Sequence, residues 1–483
     1  MSSISMPEKS FDIIVVGNGV LGLSLGLVLA RRGQNVAVLG EPHRPFAGTS
    51  ASGAMLGCFG EVTTTLVASQ AGRTKLELGI KATGLWRQWL DELGDGAAGE
   101  IITADGTTVI LNTIGMAEID DTNFRAIRDE LVRYSQPFED VDPLDLEWVD
   151  AEPISRPLRA FHIPGEHAVN SVALMARLQD AFATAGGVMV PGEATHVDHT
   201  GDQVTGVTLT SGERLTAGQV TLAAGSRTQT LLDGLPVGER MPPLVSGYGV
   251  SVLMRTFDGT APRSVIRTPN RSFACGLHLV PRGVGEVYIG ATNVVSVRPR
   301  DAADMRDLVF LSQCAHRQIR MGLWDSPIKK VQVGNRPISV DGFPLLGAGG
   351  MTGLWIMTGT YRDGLHLSPL VASEMAARIL GETGSENFEL FDPIRKPIQA
   401  LNREQIIDNT FIEQFAIGPE QDWTLPVDWH RWISGDLKPA IERWVEDIDP
   451  EYTPPAEMVF TSRLDPDLLK LLRDYYTRTR QLW

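Results

Sequence analysis

FDIIVVGNGVLGLSLGLVLARRGQNVAVLGE, Phe11 to Glu41, decides the fold. Ile13 to Val16 is a continuous β-branched run, the pattern of a strand buried on both faces. Gly17, Gly19 and Gly22 follow at once in GNGVLG. In such a motif the first glycine permits a tight turn, and the second lets the backbone approach a pyrophosphate. The third lets the helix pack closely on the sheet. The helix is predicted to run to Arg31 or Arg32 and stop at Gly33, with a second strand over Val36 to Leu39. A lone glycine motif is weak evidence, but here the full strand–turn–helix–strand frame surrounds it and implies a dinucleotide site. In this motif an acidic residue normally ends the second strand and binds the adenosine ribose. Here Gly40 holds that place and Glu41 comes one residue later.

Composition narrows what surrounds this unit. The chain has 483 residues, enough for two or three domains or one interleaved pair. At 43% hydrophobic residues, core material is ample, and a formal net charge of -16 argues against nucleic acid and anionic membrane partners. Cys58, Cys275 and Cys314 are too few and too scattered for a disulfide frame, and no metal site is expected. The opening MSSISMPEKS lacks an apolar core, and the apolar run Gly19 to Ala30 falls short of the roughly 20 residues that span a bilayer. A soluble, cytoplasmic protein is the expectation.

Outward from Glu41, the loop PHRPFAGTSASGAMLGCFGEV is rich in small residues, which suit a surface lying flat against a planar ligand and its phosphates. Helices are predicted over Arg73 to Leu93, within NFRAIRDELVRY, over Ala168 to Gly187 and over Arg300 to Trp324. After Gly187 a strand, a three-stranded meander with turns at Gly201-Asp202 and Ser211-Gly212, and a separate buried strand Val220 to Ala223 are expected. Residues Pro242 to Gly290 read as an antiparallel sheet. Ser368 and Pro369 read as the N-cap and first residue of a helix ending at Leu380. The last ninety residues hold Trp423, Trp429, Trp432, Trp444 and Trp483, with helical periods in KPAIERWVEDI and DLLKLLRDYYTRTRQLW. They read as a helical appendage that docks on the core or on another subunit, since so much aromatic surface is not left in water.

Four segments in order carry a family resemblance: GNGVLG, GTSASGAMLG, VTLAAGS, and GNRPISVDGFPLLG with GLWIMTGTYRDGLHLSPL. Over roughly residues 10 to 385 the chain resembles the FAD-dependent D-amino-acid oxidase superfamily, most of all its glycine oxidase-like members. The resemblance implies an α/β fold with a Rossmann-type FAD domain interleaved with an antiparallel-sheet substrate domain. The FAD domain would be built from residues 10–95, 150–235 and 330–390, the substrate domain from 96–149 and 236–329, and the helical appendage from 391–483.

The resemblance also implies site residues. Gly17, Gly19, Val20, Leu21 and Gly22 would hold the pyrophosphate of a non-covalent FAD, with Gly40 and Glu41 at the ribose. Gly48, Thr49, Ser50, Gly53, Ala54 and Met55 would form the phosphate and flavin-edge loop. Ala194 would meet adenine through its backbone, and Gly225, in VTLAAGS, would lie at the cofactor. Thr360, Tyr361, Arg362, Asp363, Gly364, Leu365 and His366 would close over the flavin's pyrimidine end. A turn before a helix start presents N–H groups there, which stabilise the negative charge of a reduced flavin. Arg336 and Arg362 would hold a substrate carboxylate in their planar forks. His278 stands in HLVPR where the family often has Tyr, and could donate to the carboxylate, titrate near neutral pH or mark a different substrate. Tyr361 lies beside the site and could simply pack.

The implied reaction is oxidation of an amino acid or related carboxylate-bearing amine by hydride transfer to flavin N5. An imine and then a keto acid would result, with O2 as acceptor. Two alternatives stand beside it: a specialised biosynthetic flavin dehydrogenase or amine oxidase acting on a pathway intermediate, and a flavoprotein subunit passing electrons to a partner. The appendage suits a homo-oligomer or partner contact.

Overall fold

The computed structural model describes residues 9–483 except 45, 116–117, 272–275, 385, 417, 419–425 and 427–428, so Cys275 and Trp423 lie outside the described residues. Two sheets organise the molecule. The first holds eight strands around a parallel core; six run in the order Leu345–Ala348, Leu354–Thr358, Arg214–Leu222, Lys9–Val16, Val36–Leu39, Val188–Val190, and two more branch from Arg214–Leu222. Val16 sits opposite both Leu39 and Leu222, so the glycine turn leaves the sheet from its centre. The β-branched run Ile13 to Val16 is buried throughout, as a strand covered on both faces requires.

The helix Val20–Arg31 covers one face, packing through Leu23, Leu27 and Ala30 with Phe182, Val371 and Met375. The other face is covered by Ala194–Thr200 and Gln203–Leu209, which form a meander with the sheet strand Arg214–Leu222. The expected third meander strand and the separate buried strand are one. Arg214–Leu222 pairs antiparallel with its neighbour through Arg214 to Thr216, and parallel with Lys9–Val16 from Leu215 to Leu222. No turn residue pair interrupts it, and Gly218 stays extended within it.

The second sheet has ten strands and is antiparallel except where Val265–Arg267 runs parallel to Ile102–Asn112. Its long members are Leu244–Arg255, Ile328–Ser339, Ile102–Asn112 and Pro157–Val169. Pro157–Val169 and Ile328–Ser339 belong by pairing to this sheet and not to the nucleotide unit, so Arg336, opposite Gly247, is a substrate-sheet residue.

Other expectations change at helix ends. Asn170 caps Ser171–Thr184 by accepting from the Val172 and Ala173 amides, so Ala168 and Val169 stay in a strand. Met305–Gln318 is shorter than expected and is followed by the 3-10 turn Met321–Asp325, because Arg320 is extended between them. Ser368 is not the N-cap: Leu367 is, and Ser368 and Pro369 lie in the first turn of Ser368–Ile379. The preceding turn already closes through Leu367 N–H on the Asp363 carbonyl.

The C-terminal helices Arg403–Ala416, Trp429–Ile448, Ala456–Ser462 and Pro466–Leu482 dock on the chain's own substrate sheet. Phe411, Ile441, Val445, Met458, Leu472, Tyr475 and Tyr476 form one buried cluster with Val245, Val295, Ile338 and Val340. Docking is thus made mainly by tyrosines, Phe411 and aliphatics: of the described tail tryptophans only Trp444 packs against this cluster, while Trp429, Trp432 and Trp483 are exposed.

Candidate active site

A cavity of about 290 Å³ opens at the carboxyl ends of the parallel strands, where open α/β sheets place their ligands, and runs to the substrate sheet. Val16 and Gly17, Leu39 to Glu41, Ala223 to Gly225, and Met357 and Thr358 each follow or end a parallel strand and line it.

At the nucleotide end the glycines have separable causes. Gly17 has φ +121, and a Cβ there would stand 2.3 Å from the Ala223 carbonyl oxygen; a Cβ on Gly22 would stand 1.8 Å from the Gly17 oxygen. These two are demanded by the turn itself, and Gly22 does not line the cavity. Gly19 differs: a Cβ would meet only Thr49 Oγ1, at 3.5 Å, so nothing in the protein requires glycine there. What a side chain would fill is the cavity. Above it Val20 N–H donates to Thr49 Oγ1 at 3.3 Å. Arg44 adds a guanidinium whose Nε donates to the Asn18 carbonyl at 3.1 Å and whose Nη2 is buried with no acceptor. A backbone cradle at a helix N-terminus with an arginine nitrogen awaiting an acceptor fits a dinucleotide pyrophosphate.

The one-residue slip before Glu41 also has a cause. Asn18 packs on Gly40, where a Cβ would fall 2.4 Å from its side chain, and Asn18 Nδ2 donates to the Glu41 carbonyl at 3.0 Å. Glu41 is left exposed at the cavity edge. Ala194 lines the same end beside Glu193, which pairs with Arg227.

The small-residue loop is held from below. Arg282 donates to the carbonyls of Ser52 and Gly53, each at 3.0 Å, and of Val169 at 2.7 Å, and burial pulls its pKa down to about 10. Tyr288 and Ser251 hydroxyls donate to the Ala51 carbonyl at 3.1 and 3.3 Å. Gly48, Thr49, Gly53, Ala54 and Met55 line the cavity. Ser50 does not: it is exposed, and its carbonyl accepts from Gln332. Ser52, two residues on, takes the lining place.

At the far end Arg336, half-buried, donates from Nη1 to Asn293 Oδ1 at 3.2 Å and to the Gly247 and Thr292 carbonyls at 3.4 Å. Among the described residues it has no carboxylate within ion-pair distance. Asn293 Nδ2 donates to the Tyr361 hydroxyl at 2.6 Å, and that hydroxyl donates to Glu457 Oε2 at 2.9 Å while accepting from Arg362 Nη2 at 3.2 Å. Tyr361 therefore does more than pack. Its proton is committed to Glu457, and this fixes the Asn293 amide with its oxygen toward Arg336. Tyr361 holds a left-handed φ of +53 in doing so, and its N–H donates to the Pro337 carbonyl. Glu457, wholly buried on the docked helix Ala456–Ser462, has its pKa raised by burial, partly offset by the Arg362 charge and the Tyr361 hydrogen bond.

Arg362 is placed differently from Arg336. It stacks 4.8 Å over the Tyr361 ring and stands 3.9 Å from Glu61, which Arg267 binds at 2.6 Å. Burial would raise the Glu61 carboxyl, but the charges of Arg267 and Arg362, with a hydrogen bond from Asn270, hold it at about 2. Arg362 thus faces a resident carboxylate. Nearby Glu166 is wholly buried and shifted up, with the Gly60 N–H 3.0 Å from it.

His278 lines the cavity, but the expectation that it titrates near neutral pH fails. Burial pushes its pKa down to about 4, and Nδ1 holds the proton against the Gly276 carbonyl at 2.9 Å, which leaves Nε2 an acceptor. His366 is likewise pushed down to about 4 by burial, and its Nε2 meets Thr83 Oγ1 at 2.9 Å. Thr360, Asp363, Gly364 and Leu365 line the cavity from the same turn, which Lys75 steadies through a 2.7 Å ion pair to Asp363. Sequence reasoning missed Arg44, Glu61, Arg282, Asn293 and Glu457. The first two stood in the singled-out loop. Glu457 carried no local signal, because its role exists only once the tail docks. Among the described residues no cluster of His, Cys, Asp or Glu is arranged for a metal, and no helix is long and apolar enough to cross a membrane.

Residues 12–378 match the family model DAO, FAD dependent oxidoreductase. Glycine oxidase of Geobacillus kaustophilus is 28% identical over 374 residues, covering 74% of this chain and 90% of that protein. A crystal structure of glycine oxidase from Geobacillus kaustophilus superposes with a TM-score of 0.68 at 22% identity, covering 80% of this chain and 99% of that one. That of iminodiacetate oxidase from Chelativorans sp. BNC1 does so with 0.67 at 19%, covering 79% and 98%. With the cradle at Gly19, the unsatisfied Arg44 and the interleaved sheets in place, the chain belongs to the DAO family of FAD-dependent oxidoreductases.

Proposed function

We propose that this chain oxidises an amino acid, or a related amine bearing a carboxylate, whose carboxylate is held by Arg336. The observation that carries the reading is the state of that guanidinium: half-buried in the cleft, among the described residues it donates hydrogen bonds to neutral carbonyl oxygens only. A cation so placed favours an anion, and a planar fork favours a carboxylate. Arg362 adds positive potential but shares it with Glu61, so Arg336 is the principal anchor. Two relatives carry names that fit such a substrate, a glycine oxidase and an iminodiacetate oxidase.

FAD, when bound, supplies a two-electron acceptor for the C–N bond. The protein's share is binding and orientation. Arg336 fixes one end of the substrate, Asn293 and Tyr361 fix Arg336, and neutral His278 offers Nε2 as an acceptor to an amine N–H. His278, its pKa lowered to about 4 by burial, is too weak a base to take a proton near pH 7, so the site suits an amine that enters uncharged, and positioning carries the catalysis. O2 is the proposed final acceptor. The test is anaerobic flavin bleaching across a library of amino acids, amines and alcohols. The expected result is reduction by amino acids and not by the matching plain amines; reduction by the amines alone ends the reading.

A further inference from the structure

A second cavity, of about 200 Å³, shares Glu61, Tyr361, Arg362, Asp363 and His366 with the first. One wall comes from the C-terminal segment, through Ile398, Ala400, Leu401 and Ile406; Leu66 and Leu76 line it from the catalytic body. The segment that closes it lies beyond residues 12–378, so this chamber is not a property of the family model. Its volume exceeds the roughly 150 Å³ of an apolar void that takes up a benzene ring.

The charges in its wall are already answered inside the protein. Lys75 pairs with Asp363 at 2.7 Å, Arg271 with Asp120 at 2.8 Å, and Asp341 with Arg395 at 2.9 Å. Glu61 is held between Arg267 and Arg362. Of the remaining titratable groups, Glu457, His366 and Cys58 are buried, and burial favours their uncharged forms, while the Tyr361 hydroxyl donates to Glu457. A charged group entering here would meet no free counter-charge and would lose its hydration, whereas apolar surface would be gained.

We propose that this chamber is the subsite for the far end of the substrate, and that the end it takes is an uncharged, largely apolar side chain longer than those of glycine or alanine. The proposal rests on the reading that Arg336 anchors the substrate carboxylate. The tail then sets substrate size, since it supplies the wall that makes a chamber of an open cleft.

The test uses the full-length, FAD-loaded protein. Acetate, hexanoate and glutarate are titrated as carboxylate probes by the change in flavin absorbance, and glycine and both enantiomers of 2-aminohexanoate are tried as anaerobic reductants. Methylenes entering an apolar pocket are each worth on the order of tenfold or more, so hexanoate is expected to bind at least about 10-fold tighter than acetate, with glutarate weaker than hexanoate. Ala400→Trp should erase the preference for hexanoate and leave acetate binding unchanged. Ala400→Val and Ala400→Leu give a graded series should the tryptophan not be tolerated. Acetate and hexanoate binding alike while amino acids still bleach the flavin, glutarate binding tightest, or an unchanged hexanoate preference throughout the residue 400 series overturns the chamber alone. No response to any carboxylate and no bleaching by either amino acid overturns the parent reading.

Discussion

Arg336 and Arg362 share a motif-level resemblance but differ in physical state, and the difference is testable. If Arg336 anchors the substrate carboxylate as proposed, Arg336→Ala removes charge-assisted hydrogen bonds worth roughly 1.5–3 kcal/mol each, so kcat/KM is expected to fall by about 10- to 150-fold with FAD retained. Arg336→Lys should recover only part, since an ammonium offers a point charge and not a fork. Unchanged kinetics in Arg336→Ala, once a substrate is in hand, would show that no carboxylate is held there. A second residue-scale consequence concerns acid. His366 has a folded pKa of about 4 against an ordinary 6.5, so the unfolded chain takes up its proton first. Its stabilising contribution is therefore full above about 6.5 and is lost as pH falls toward 4. The contribution of Glu61, held at about 2, is lost only from about 4.5 downward, at the acid end of that window and below it. Urea denaturation at pH 7.5 and 5 should show the wild type weakening more on acidification than His366→Gln. Equal slopes would mean that His366 is already charged in the folded protein.

Among the elements, the loop from Gly48 to Met55 is instructive because its own sequence does not order it. Arg282, from the strand His278–Gly283, binds two of its carbonyls and the Val169 carbonyl beside it. Arg282→Met should leave the sheet in place but weaken FAD binding by about 10- to 100-fold, read by fluorescence titration of the apoprotein. Wild-type FAD affinity would show that the loop is rigid without it. The helix Ala456–Ser462 acts on the site through one hydrogen bond, Tyr361 to Glu457. Tyr361→Phe leaves that buried carboxyl without its donor and frees the Asn293 amide to turn. A loss of about 1–3 kcal/mol in unfolding free energy is expected, together with weaker acetate binding. Lost stability with acetate affinity intact would make the relay structural only. Small residues and glycines made the turn and loop legible in sequence, since steric need is local. Arg282, Asn293 and Glu457 were not legible, because each meets its partner across more than sixty residues of chain.

For the whole molecule, the C-terminal helices are part of the folded body. Val245, Val295, Ile338 and Val340 of the substrate sheet lie under Ile441, Met458, Leu472 and Tyr476. Uncovering side chains of this kind costs about 1.5–3 kcal/mol each, comparable in sum with a protein's whole stability. Truncation after residue 394 is expected to give aggregated protein or a melting temperature lower by many degrees, followed by light scattering and thermal melts. A soluble truncated protein with an unchanged melting temperature would mean that the docking contributes nothing. The tryptophan content signals that the tail covers something, but other residues do most of the covering: Trp432 is 81% exposed, Trp444 only packs at the edge of the cluster, and Tyr476 is fully buried. Periodicity gives the helices, and only packing says which face is used.

By itself the sequence determined the strand–turn–helix frame at Gly17 to Gly22, the cofactor class and the order of the segments that carry it. These rest on local sterics and period, which a chain expresses without knowing its partners. Tertiary structure alone decided that Arg336 stands on the substrate sheet with neutral hydrogen-bond partners, that Arg362 faces Glu61, and that His278 is held neutral. It alone brought Glu457 and the wall of the second cavity to the site from a segment with no motif. The reason is physical: charge state and accessible space are set by what surrounds a residue, and the surroundings of these residues are assembled from distant parts of the chain.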